Sequence, residues 1–391
     1  MEPIRSELFS VERLESHAQS LADAQVVVQH TSAGRPILSR LSENSKVLTI
    51  AYRIIAEASR GGRPLTPAAE WLLDNFHVVE EQIREIKNDL PPTFYKELPK
   101  LAEGHLEGYP RVFGLAWAFV AHTDSHFDLQ TLVRFVNAYQ RVQPLTIGEL
   151  WAIAITLRVI LVENLRRLAE AIVRTLQASQ EADAYADRML GAGGEEPVSP
   201  AELPAKYRRG PLPSAFAAQL DHRLRDQDEA FAPAHQWLLD RLAAQQTTPD
   251  RIIQDELRLQ GALNVTVRNI IVSMRMISEI DWSVFFENVS LVDAALRADS
   301  DFAAMDFPTR DLYRRAIERF ARGSGHTELE VTRRAIARAK QAKAAGSEGK
   351  LSDRERDPGY YLIARGAGLL EREIKFQPPP REWLTRLNLA I

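Results

Sequence analysis

The sequence predicts an all-α protein of stacked helical hairpins in two subdomains, with essentially no sheet. Three observations predict it. Apolar residues recur at gaps of three and four through most of the chain, helix-start signals precede several of those stretches, and strand signals are nearly missing, with one short strand-like β-branched run.

Taken in order, helices are predicted at Ser10–Ala24, Glu43–Ser59, Thr66–Asp89, Pro110–Thr123, Asp128–Arg141, Leu145 to about Ala178, Ser214–Arg225, Glu229–Ala243, Thr248–Ile277, Ser283–Ala295, Pro308–Arg322 and Thr327–Ala344. The third is the most regular. Thr66 is an N-cap, Pro67 fills the first helical position, and Leu72, Phe76, Val79, Ile83 and Ile86 define one apolar face. Asp89-Leu90-Pro91-Pro92 stops it. In the Leu145 helix, Thr146 and Glu149 make a capping box, each side chain satisfying the other residue's backbone N–H. Residues 150–162, LWAIAITLRVILV, are apolar on more than one side, which places them at the centre of a core. Gln25–His30, QVVVQH, is the only strand-like run and has no evident partner.

These elements fall into a first subdomain over 1–190, a Gly- and Pro-rich linker at 191–210, and a second subdomain over 211–344. Residues 345–356 are polar, charged and expected to be mobile, and 357–391 form a C-terminal docking and juxtamembrane segment. The chain has 391 residues, 45% apolar and 26% charged, enough to bury a sizeable core. With 49 basic against 53 acidic residues the net charge is −4, which argues against a nucleic-acid partner. Cysteine is absent, so thiol catalysis, disulfides and thiolate metal sites are excluded. The N-terminus lacks the apolar stretch of a signal peptide, and the longest apolar run is too short to span a bilayer.

Few residues invite chemistry. His122 and His126 are four apart, the spacing at which two imidazoles on a helix share an ion, yet the residues between them include no general base. A structural role is the competing reading. Asp74, His77, Glu81 and Arg84 follow at gaps of three and four, either as an acid–base cluster or as a polar network tying helices together. Glu149, Glu163 and Glu170 share the long helix, but capping explains Glu149 and pairing with Arg166 or Arg167 explains Glu163. No catalytic or cofactor-binding residue is assigned; phosphate-binding loops, nucleophile elbows and zinc-hydrolase motifs are missing. Tyr207-Arg208-Arg209, Arg314-Arg315 with Arg319 and Arg322, and Arg333-Arg334 with Arg338 and Lys340 are basic clusters: solvated helix faces, or contacts to anionic lipid.

Several phrases resemble one family in order along the chain: SELFSVERLESHAQSLA, PAAEWLLDNFHVVEEQI, LPPTFYKELPKL, FVNAYQRVQPLTIGELWAIAITLRVILVENLRRLA, MDFPTRDLYRRAIERFARGSG and DPGYYLIARGAGLLE. They are similar to the N-terminal region of cyclic β-1,2-glucan synthases, also described as glucoamylase-family proteins. The resemblance runs from about residue 5 to the C-terminus. It implies a large protein of the bacterial inner membrane, with this region on the cytoplasmic face beside membrane helices and a glucosyltransferase module using UDP-glucose as donor. None of that family's sugar-active residues maps to a position in this chain.

Two functions follow as expectations. One is a non-catalytic module that docks on the glucosyltransferase and membrane modules of the same protein. The other is a grip on the growing β-1,2-glucan, for which Tyr95 and Tyr109 are the candidate stacking rings among aromatics that otherwise suit a core, such as Trp71, Trp117, Trp151, Trp237 and Trp282. At the C-terminus, Pro378-Pro379-Pro380 forces an extended stretch, and Arg381, Trp383 and Arg386 have the composition of a membrane interface.

Overall fold

The computed structural model describes residues 2–28, 35–90, 92–192, 198–200, 207, 210–225, 227, 232–344 and 350–378. The protein is 76% helical, with 18 α-helices and one two-stranded sheet among the described residues, so the all-α expectation holds. The first half comprises α1 (Val11–Ala24), β1 (Val27–Val28), α2 (Ile37–Arg60), α3 (Pro67–Asp74), α4 (Phe76–Asp89), α5 (Pro92–Glu97), β2 (Lys100–Leu101), α6 (Arg111–His122), α7 (Leu129–Gln140) and α8 (Ile147–Met189). Helices Ser214–Leu224, Ala232–Ala244, Pro249–Glu279, Trp282–Val289, Leu291–Asp299, Phe307–Ser324 and Glu328–Ala344 follow. Three short helices, Lys350–Glu355, Pro358–Ile363 and Ala367–Glu373, complete the described chain.

Local chemistry sets the starts. The side chains of Ser10, Thr66, Asp128 and Thr146 each accept the backbone N–H three residues on, and Thr146 with Glu149 completes the expected capping box. The single helix expected over Thr66–Asp89 is instead α3 and α4. The break is at Asn75, whose side-chain amide donates to Trp71 O at 2.9 Å while its oxygen accepts from Arg275 at 2.6 Å. A side chain that competes for backbone groups favours such a turn. The strand-like run also differs from expectation, since it has a partner: Val27 pairs with Leu101 and Val28 with Lys100, antiparallel. Residues 350–355, expected to be mobile, form a helix, while 345–349 and most of 191–210 lie outside the described residues.

Around α8 the rest of the fold is arranged. At 43 residues it is far longer than expected, and α2, α3, α4, α6 and the Ser214–Leu224 and Pro249–Glu279 helices all pack on it. From Ile155 to Arg166 every residue is buried. The apolar residues form two cores divided along a different line from the subdomains expected at 1–190 and 211–344. The larger draws on Ile4 to Ile172 and on Leu263 to Ile374. The smaller joins the end of α8, Ala182 to Met189, to Tyr207 and to residues between Leu212 and Ile252. Both α8 and Pro249–Glu279 are long enough to enter both cores. No helix among the described residues is long and apolar enough to cross a membrane.

Candidate functional site

The charged groups nearest the centre of the molecule form three buried arginine–carboxylate clusters. The first sits at the start of α8. Glu149, fully buried, takes two hydrogen bonds from Arg111 at the start of α6 and also accepts the Thr146 N–H. Arg111 further donates to Gln143 and to the Pro144 carbonyl. Burial alone would weaken the guanidinium's hold on its proton; the charge and hydrogen bonds of Glu149 outweigh it and raise its pKa.

The second cluster surrounds Glu163, just under four turns further along α8. Arg40 of α2 donates to both carboxylate oxygens, at 2.9 and 2.8 Å, and Asn44 adds a third bond at 2.7 Å. Arg166 and Arg167 approach from the same helix at 3.2 and 2.9 Å, the pairing expected from the sequence. Arg40 also donates to the Tyr109 hydroxyl at 2.7 Å. Burial pushes the Glu163 carboxyl up, but the bonds and charges of Arg40, Asn44 and Arg167 win and hold it at about 2.

Arg314 makes the third. This fully buried arginine donates to both oxygens of Asp293, itself fully buried, and to Glu287 at 2.9 Å. Its guanidinium lies over the rings of Phe286 and Phe307 at 4.9 and 5.0 Å. Sequence reasoning placed Arg314 in an exposed basic cluster; the structure corrects this. Its neighbours are paired too: Arg315 with Asp311, Arg319 with Glu371, and Arg322 with Glu97 and Glu318. In the next cluster Arg338 and Arg334 approach Glu373, and Lys340 approaches Asp299, while Arg333 is exposed. Tyr207 is buried, and Arg208 and Arg209 lie outside the described residues.

The candidate pairs are not brought together for chemistry. Glu149 and Glu163 lie 14 residues apart on one helix, so their backbones are about 21 Å apart, beyond the ~5–9.5 Å across which two carboxylates cleave a glycoside. A carboxyl held at about 2 and sealed by guanidinium groups is a poor proton carrier near neutrality.

The histidine motif resolves into a structural joint. Helix α6 ends at His122, and Asp124 and Ser125 adopt left-handed backbone, with φ of 51° and 61°. His126 is therefore exposed beyond the break. His122 Nδ1 is 2.8 Å from the Glu7 carbonyl, and its ring stacks on Phe9 beside His17. Buried Asp124 accepts from Thr266, and Ser125 accepts from Asn164 while its carbonyl accepts from Ser273. The motif thus ties α6 to α8 and to the Pro249–Glu279 helix. No group of three potential ligands for a metal ion occurs among the described residues.

The other candidates are separated by burial. Asp74, His77, Glu81 and Arg84 are all exposed on α3 and α4 and form no ion pair among themselves. Tyr95 and Tyr109, the rings expected to meet a glycan, are buried instead, and this corrects the expectation. Tyr95 donates to the Arg35 carbonyl at 3.0 Å, and Tyr109 stacks on Phe113, so neither offers a face to a sugar. Arg381, Trp383 and Arg386 lie outside the described residues.

Two polar features escaped sequence reasoning. Buried Lys100 donates to the carbonyls of Tyr95, Lys96 and Leu98, closing the end of α5. Glu328 accepts the Ile147 N–H at 2.7 Å, capping α8 from a distant helix. Burial, with Glu318 and Glu149 nearby, pushes its carboxyl up to about 8, against the opposing pull of that N–H and of Arg322. Neither residue belongs to a sequence pattern; both depend on contacts made by folding.

Fold and centres together define a helical module whose charged clusters hold helices in place. No protein-family profile matches the chain. It is 37% identical over 384 residues to the cyclic β-(1,2)-glucan synthase NdvB of Rhizobium meliloti (strain 1021), which shows the resemblance read from the sequence. The match takes in 98% of this chain and 13% of that protein, so the chain corresponds to a small region of such a synthase.

Proposed function

We propose that the chain is a non-catalytic N-terminal helical module of a membrane-bound cyclic β-1,2-glucan synthase. In this reading it docks on the glucosyltransferase and membrane modules of the same protein, at the cytoplasmic face of the inner membrane, and supports synthesis from UDP-glucose without handling the sugar. What carries the reading is that the acidic groups central to the fold, Glu149, Glu163 and Asp293, are each closed off by arginine. The match to the synthase along 98% of the chain supports placing that scaffold in such a protein.

The test is a synthase from which this region is deleted, compared with the intact protein in membranes supplied with UDP-glucose, with cyclic glucan measured by mass spectrometry. Loss of product, restored by the region supplied as a separate chain, is the expected outcome. Normal glucan from the deleted protein would overturn the proposal.

A further inference from the structure

The last described segment has two sides of different character. Its inner side is fixed by three glycines that leave room for aromatic rings. A Cβ on Gly323 would lie 2.3 Å from the Phe376 ring, one on Gly359 2.1 Å from the Tyr313 hydroxyl, and one on Gly366 2.4 Å from the Tyr360 ring. Tyr313 donates to Asp357 at 2.6 Å, and the Gln377 N–H donates to the Gly323 carbonyl at 2.7 Å. Tyr361, Leu362, Leu370 and Ile374 are buried in the larger core.

The outer side carries Arg365, Leu369, Arg372 and Lys375, all exposed, with Ile363 at the end of the preceding helix about half exposed. Leu369 and Arg372 are three apart on the Ala367–Glu373 helix and share a flank; Lys375 follows just past its end, with left-handed backbone at φ 54°. Between Pro358 and Pro378 the chain has three cations and two acids. Both acids are already paired: Glu371 with Arg319, and Glu373 with Arg338. None of the three cations has a carboxylate partner among the described residues.

We infer that this outer side, Arg365, Leu369, Arg372 and Lys375, is a docking surface for an anionic lipid bilayer. Unpaired cations beside half-exposed aliphatic side chains fit the headgroup–acyl boundary, where the charges meet phosphate and the aliphatic groups leave water. The whole chain carries −4, so attraction to an anionic bilayer must come from a local surface and not from net charge. Because the inner side is keyed by three glycine–aromatic contacts, the surface is presented without further folding. This inference goes beyond the proposed docking on the synthase and is tested without measuring glucan.

The purified chain is sedimented with phosphatidylcholine vesicles, with or without about 30% phosphatidylglycerol, at low salt. Binding should require the anionic lipid and fall as salt rises. At about 1 kcal/mol per cation near such a surface, each charge is worth roughly fivefold, so the double variant Arg372→Gln/Lys375→Gln should partition about 25-fold less. A matched double variant on a remote exposed surface, Arg53→Gln/Arg60→Gln, should bind like wild type. Circular dichroism melting confirms that each variant is folded. Several results would overturn the inference: no binding, equal binding to neutral vesicles, equal losses in both double variants, or a loss seen only on Trp383→Ser. Tight capture by a soluble polyanion such as heparin, with none by vesicles, would point to a different partner and also refute it.

Discussion

Replacing Glu163 by Gln keeps the size of the side chain and removes the charge that Arg40, Arg166 and Arg167 surround. The carboxyl is held at about 2 against an ordinary value of 4.5, about 2.5 units, and each unit corresponds to about 1.4 kcal/mol. The ionised form thus contributes about 3 kcal/mol at neutral pH, in the range measured when one partner of a buried pair is removed. Because the folded value is depressed, this stability is fully present above pH 4.5 and is lost as pH falls towards 2. Linkage gives a contribution of only about 1 kcal/mol at pH 3. Urea unfolding of wild type and Glu163→Gln, followed by circular dichroism at pH 7 and at pH 3, isolates this term because the other carboxyls titrate alike in both. The gap between the two proteins should shrink by more than half on acidification. Superimposable curves at pH 7, or a gap that does not change with pH, would refute the electrostatic account of this centre.

Three further perturbations test other contacts. Arg314→Ala leaves Asp293 buried without its cation and should cost about 3–5 kcal/mol, seen as a melting temperature lower by several degrees; a change within error would mean that the pair is dispensable. Gly323→Ala improves intrinsic helix propensity yet places a methyl group against Phe376, so limited proteolysis near residues 374–378 should accelerate while the main melting transition moves little. Glu328→Gln should raise the melting temperature at pH 8 but not at pH 4. The folded carboxyl is pushed up to about 8, so the wild type is penalised progressively as pH rises from 4.5 towards 8, whereas the amide keeps the Ile147 contact at every pH.

The parts of this fold that were legible in the sequence are those decided locally. Ser10, Thr66 and the Thr146–Glu149 box announce helix starts because a cap is satisfied within four residues. Residues 357–374 are apolar in sequence, and Tyr361 and Leu370 are buried in the larger core. Where a residue's role depends on something far along the chain, the sequence was silent or misleading. Arg314 sits among arginines that look like a solvated face, and Asp293, Glu287 and the rings of Phe286 and Phe302, brought in from earlier in the chain, bury it with Phe307 of its own helix. Tyr95 and Tyr109 are candidate stacking rings by sequence, but the Arg35 carbonyl claims the hydroxyl of Tyr95 and Arg40 that of Tyr109, contacts made by residues 60 and 69 positions away. The strand pairing of Val27 depended on two residues beside Pro99, too few to leave a periodic signal.

Helix α8 behaves mechanically as a lever. Its first part is gripped by the larger core through Ile172, and its last turns carry the smaller core out to Met189. The 17 residues between those points span about 25 Å, so a tilt of about 5° at the grip sweeps the far end through about 2 Å. Continuous backbone hydrogen bonding makes the rod stiff along its axis, and the Glu163 cluster, with Arg40 and Asn44, lies on its gripped part. Within this chain, load applied at either end is shared by α8 and the Pro249–Glu279 helix, the two helices that enter both cores.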